Sequence, residues 1–151
     1  MNRYARILLT SAMGVLIAAI GGVVMGDLAA TPLPDGYYPW FEEHLNIHVG
    51  LVLTSTIQQI LAYGLLLFLA AYLVTRSMFL APWMGVACLL AGFWLYATVG
   101  MAWLYGIPAR NVMPTLTWYM AVPVVVHAAA LAGGAWIGAR SAAEPRKQSV
   151  G

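Results

Sequence analysis

The sequence predicts an all-α fold, an integral membrane four-transmembrane-helix bundle with both termini cytoplasmic, and three observations carry that reading. Of the 151 residues, 62% are hydrophobic and only 8% charged, with a mean hydropathy of +0.82. An average soluble domain is about half apolar and about a quarter charged, so this chain lacks the polar surface a water-soluble or disordered protein needs. Four apolar stretches are long enough to cross about 30 Å of hydrocarbon, which takes about 20 helical residues. The basic residues also sort to one side of a four-span layout: Arg3, Arg6, Arg76, Arg140, Arg146 and Lys147 against Arg110 alone.

The spans are placed at 7–25, 44–74, 78–105 and 115–137, within one membrane domain over 1–151. Backbone polar groups in lipid must be satisfied inside the segment, and none of these runs alternates as a strand would, so each is a helix. The first span, with Arg3 and Arg6 ahead of it and Leu28–Ala29–Ala30 behind, has the layout of a signal peptide but is read as a retained membrane helix. The positive-inside rule puts both termini and the turn at 75–77 in the cytoplasm of a bacterial-type inner membrane, and Asp27, Asp35, Glu42 and Glu43 outside. The outer loop, 26–43, contains TPLPDGYYPWFEE. Its prolines and glycine predict irregular structure, and its aromatics suit either the headgroup layer or a lid over a site. The second span exceeds the length a crossing needs, which predicts a tilted or protruding helix. The cationic tail after the fourth span is read as an orientation signal.

Several function classes are excluded. No P-loop, nucleotide fingerprint, CxxC pair or serine-nucleophile pattern occurs. Cys88 is the single cysteine. The net charge of +2 is too small and too scattered for a nucleic-acid partner. The expected partners are the lipid bilayer and a hydrophobic small-molecule substrate.

Chemistry can reside on three histidines. On one continuous helix, His44 and His48 would stand one above the other, with Ser55 and Gln59 on the same face and Gln58 and Tyr63 at its flanks. Such a pair can present nitrogens to a metal or a haem, or can simply occupy the wet interface. Thr54, Ser55, Gln58 and Gln59 read as interhelical hydrogen-bond glue. His127, deep in the fourth span after Pro123, is expected to bond to a polar group such as Gln59 at similar depth. Trp103, Tyr105, Trp118 and Tyr119 gather at the outer end, a ring of flat side chains suited to a macrocycle or an aromatic substrate. Gly14, Gly21, Gly22 and Gly26 on the first helix, and Gly133, Gly134 and Gly138 on the fourth, predict faces for close approach within a homo-oligomer.

The layout resembles the styrene oxide isomerase family of small four-helix membrane enzymes. The likeness runs along most of the chain with few identities. It rests on a Pro/Gly-rich outer loop, a Trp four residues before a His in PWFEEH (Trp40 and His44), and the third-helix run Ala91–Gly92–Phe93–Trp94. A Pro108–Ala109–Arg110–Asn111 turn and a proline-interrupted fourth helix complete it. The family's Asn six residues after its histidine is Gly50 here, and its catalytic Tyr falls on about Met101.

The resemblance implies haem b bound between subunits of a trimer, with His44 as the axial metal ligand. His48, Trp40 and Arg110 would assist cofactor binding, and Tyr105, Trp103 and Asn111 are the catalytic candidates. The implied reaction uses ferric haem as a Lewis acid to open a hydrophobic epoxide to an aldehyde. The alternatives are a haem b electron-transfer subunit working with quinol, which needs two axial ligands, and a small transporter or structural membrane subunit.

Overall fold

The computed structural model describes residues 2–106 and 121–148. Helix α1 spans Arg3–Ala30, capped by Asn2, whose side chain accepts from Ala5 N at 2.8 Å. A short helix α2, Tyr37–His44, precedes α3, Ile47–Gln59. A π-helical turn, Ile60–Gly64, joins α3 without interruption to α4, Leu65–Arg76. Helix α5, Pro82–Leu95, passes through a second π-helical turn, Tyr96–Gly100, into α6, Met101–Tyr105. The last described helix, α7, covers Ala121–Gln148. Four helices are thus long and apolar enough to cross a membrane: Arg3–Ala30, Ile47–Arg76, Pro82–Leu104 and Ala121–Ala143.

Their outward faces carry large apolar side chains: Leu8 is 71% exposed, Val23 68% and Trp83 83%. Hydroxyls on the spans bond back to their own helices, Thr10 to Arg6 O, Thr56 to Val52 O and Thr98 to Trp94 O. That habit lets a polar residue sit in an apolar setting without an outside partner. The core is small, with Ile17, Ala18, Leu67, Ala71, Leu89, Phe93 and Leu131 at its centre.

Glycines set the packing. A Cβ on Gly14 would strike Leu89 O, and one on Gly92 would strike Ser11 O, so α1 and α5 touch backbone to backbone. Gly134 sits in the same way on Phe68 O, and Gly138 on Thr75 Oγ1, closing α7 against α4. Both close pairs run parallel: Arg6 lies by Phe79 and Gly14 by Phe93, and Gly64 lies by Val126, Gly134 by Phe68 and Gly138 by Thr75. The non-consecutive spans therefore pack tightest. Gly14, Gly21, Gly134 and Gly138, expected to serve contacts between copies, are spent inside the chain. Gly26 has nothing near its α-carbon, and Gly133 meets only the Phe68 ring.

Three further expectations are corrected. The outer loop is not irregular throughout, because α2 forms within it. Gly36, at φ 86°, turns the chain into this helix, and Pro39 falls in the first turn, where no backbone N–H is required. The second span does not run unbroken from residue 44. It breaks at Leu45, whose φ of −136° and ψ of −91° are not helical, and restarts where Asn46 accepts from His48 N at 2.9 Å. The last helix does not stop at 137 but continues through Gln148.

The turn between α4 and α5 is a Schellman-type stop, with Phe79 N donating to Val74 O and Met78 N to Thr75 O, and Met78 at φ 51°. Arg6 donates to Phe79 O at 3.2 Å, and Gly138 packs beside Arg76. Arg3, Arg6, Arg76 and Arg140 therefore share one end of the bundle, while Asp27, Asp35, Glu42 and Glu43 lie at the other.

Candidate functional site

At the acidic end, α2 forms an aromatic platform docked on the start of α3. Phe41 is its buried anchor and rests on Gly50, where a Cβ would lie 2.9 Å from Phe41 Cδ2. Asparagine at position 50 would displace that ring, which accounts physically for the glycine here. Tyr37 donates to Gly50 O at 3.4 Å and receives the Thr54 hydroxyl at 3.1 Å. The rings of Tyr37 and Phe41 lie 5.1 Å apart, as do those of Trp40 and Phe41.

His44 closes this helix. Its imidazole stacks on Trp40 at 4.9 Å with 15° between planes, and Nδ1 lies 2.9 Å from Trp40 O. A carbonyl only accepts, so Nδ1 carries the proton and the Nε2 lone pair of the neutral ring is available. The ring is exposed. A backbone carbonyl holding one imidazole nitrogen while the other faces outward is how proteins orient a histidine for metal ligation. Trp40 and His44, which the sequence reading places in an irregular loop and at the start of the second span, share one turn of α2. The 37/41 and 40/44 spacings carried a helical signal that the prolines obscured.

His48 does not share a helix with His44. The break at Leu45 puts it in the first turn of α3, beside an exposed apolar groove of about 420 Å³ lined by Val49, Val52, Leu53 and Thr56. Among the described residues no cluster of three or more His, Cys, Asp or Glu could hold a metal ion. Trp103 is 82% exposed on α6. The side chain of Tyr105, and all of Arg110, Asn111, Trp118 and Tyr119, lie outside the described residues.

Of the polar residues read as glue, Gln58 and Gln59 bond to other helices, and Thr54 bonds both to Tyr37 of α2 and to Gly50 O of its own helix. Gln58 donates to Leu28 O of α1 at 3.3 Å. Gln59 and His127 meet in the interior, Oε1 to Nε2 at 3.2 Å, as their matching depth predicted. His127 is boxed by Phe93 at 4.8 Å and Tyr63 at 5.4 Å, both edge to face, and its Nδ1 has no hydrogen-bond partner among the described residues. Gln59 lies eleven residues beyond His48, about 16 Å along the helix, so His127 is remote from the platform. No family model, curated protein or solved structure matches this chain.

Proposed function

We propose that this chain is a multi-pass membrane protein, arginine-rich end in the cytoplasm, that binds haem b through His44 Nε2. The single observation that carries the reading is the exposed His44, its ring stacked on Trp40 and its Nδ1 held by the Trp40 carbonyl. One imidazole with its tautomer set by a backbone carbonyl fits the donor that a five-coordinate haem requires. In this reading a second copy of the chain supplies the other wall of the site, with a trimer as the expected assembly.

His44 would hold the haem, whose iron would supply Lewis acidity, and isomerisation of a hydrophobic epoxide to an aldehyde is the proposed reaction. The chain's own contribution is positioning. Trp40 limits rotation of the imidazole, Phe41 and Tyr37 hold α2 on α3, and the apolar groove beginning at His48 offers greasy surface to a substrate arriving from the bilayer. The two-ligand electron-transfer reading is less well supported, because His127 is committed to Gln59 and His48 stands on a separate helix from His44.

The test is an absorption spectrum of protein purified from haem-replete cells. A Soret band of high-spin type is expected, kept in His127→Ala and lost in His44→Ala. A colourless preparation, or a band indifferent to His44→Ala, overturns the reading.

A further inference from the structure

At the arginine-rich end, remote from the platform, a groove of about 570 Å³ opens between α5 and α7. Its floor is Ala132, Gly133 and Ala135, and its walls are Trp83, Pro82 and Trp136. From Ala132 to Ala139 it runs about 10 Å along the helix. Trp83 is 83% and Trp136 57% exposed, the amphipathic type of residue that settles at the headgroup level. Gly133 is not needed for packing inside the chain: a Cβ there meets only the Phe68 ring, at 3.5 Å.

Just past the end of the groove, the Arg140 guanidinium sits over the Trp136 ring, its Cζ 3.7 Å from the centroid, too close for an edge-on approach. A guanidinium stacked by its face keeps its in-plane N–H donors, which match a phosphate in a bidentate fork. The other described arginines of this end donate hydrogen bonds, Arg3 to Met84 Sδ at 3.9 Å among them, and Arg6 and Arg76 lie over the Phe79 and Tyr72 rings at the longer distance of 5.6 Å. Arg6 donates to Phe79 O, and Arg76 donates to the Tyr72 hydroxyl at 2.6 Å. The carboxylates whose side chains are described, Asp27, Asp35, Glu42 and Glu43, all stand at the opposite end.

From this juxtaposition we infer a binding site for an anionic phospholipid, its acyl chain in the Gly133 groove and its phosphate on Arg140. The inference uses only the membrane placement of the helices and is independent of haem. An apolar trench alone would take any lipid tail; the cation at its mouth selects the headgroup. A lipid phosphate would bring negative charge to this arginine-rich end at the depth where Trp83 and Trp136 sit.

The experiment is native mass spectrometry of the intact chain in neutral detergent. It is titrated with dioctanoyl phosphatidylglycerol, with phosphatidylcholine of the same chain length, and with inorganic phosphate alone. Wild type is expected to retain phosphatidylglycerol about tenfold better than phosphatidylcholine, the scale of one charge-assisted contact. R140Q should erase that preference while keeping tail-driven binding, and G133L, which fills the trench, should lower binding of both lipids. Equal headgroup preference in wild type and R140Q overturns the site. So does inorganic phosphate binding as tightly as the lipid. A change of oligomeric state in G133L with lipid binding intact also overturns it, because the groove would then belong to a second copy. Retention of the Soret band in R140Q separates this outcome from failure of the haem reading.

Discussion

The Gln59–His127 contact admits a double-mutant cycle whose outcome follows from burial. Gln59 is 8% and His127 6% exposed, and Nε2 to Oε1 is 3.2 Å. Gln59→Leu deprives an imidazole that already holds one unmatched nitrogen of its other partner, at a cost of about 1–3 kcal/mol. His127→Phe strands the Gln59 amide but removes the unmatched Nδ1 and keeps the edge-to-face contacts with Phe93 and Tyr63, so its cost falls near the lower bound, about 1 kcal/mol. The double variant has neither polar group and should lie close to wild type. With the double variant near wild type, the coupling energy is the sum of the two single costs, about 2–4 kcal/mol. Reversible unfolding in mixed micelles, followed by circular dichroism as the denaturing detergent fraction rises, measures it. Single costs that add within about 0.3–0.5 kcal/mol would show that the two side chains do not depend on each other and refute the argument.

Gly134→Leu should destabilise the same unfolding transition by about 1–3 kcal/mol or more, because its Cβ falls on Phe68 O with Ala71 Cβ at 3.1 Å, whereas Gly133→Ala should stay within about 0.5 kcal/mol. Gly50→Asn should lift α2 from α3 by displacing Phe41. Glutamyl endopeptidase would then cut faster at Glu42–Glu43, and Phe41→Ala in the same background should not speed the cut further. Asn46→Ala removes the cap from His48 N and should cost about 1 kcal/mol, read in the same micelle titration.

The four long apolar helices were legible because a run of 20 or more apolar residues, if it is to cross lipid, has helix as its backbone solution. The Gln59–His127 bond was legible for a related reason, since two polar side chains at equal depth have few other partners. Helix α2 was not, because the weight given to Pro39 ignored its position: a proline in a first turn loses no hydrogen bond. The separation of His44 from His48 turns on Asn46, which reads equally well as a mid-helix residue or a cap until its neighbours' torsions are known. The glycine faces could be recognised as sites of close approach, but periodicity within one helix does not say whether the neighbour belongs to the same chain. The spacing of Trp40 and His44 is visible in the sequence, but their stacking and the bond from His44 Nδ1 to Trp40 O depend on α2 being helical.

The π-helical turn at Tyr96–Gly100 changes what counting along the third span can tell. A closed i→i+5 loop holds one residue more than its α counterpart, which shifts everything beyond it by about 100° around the axis. In an unbroken α-helix, residues eleven apart return to nearly the same azimuth, so Trp103 would follow Gly92 onto the face pressed against α1. It is 82% exposed instead. The extra residue swings a bulky indole out of a seam only glycine can occupy, and the two halves of this span address different surroundings.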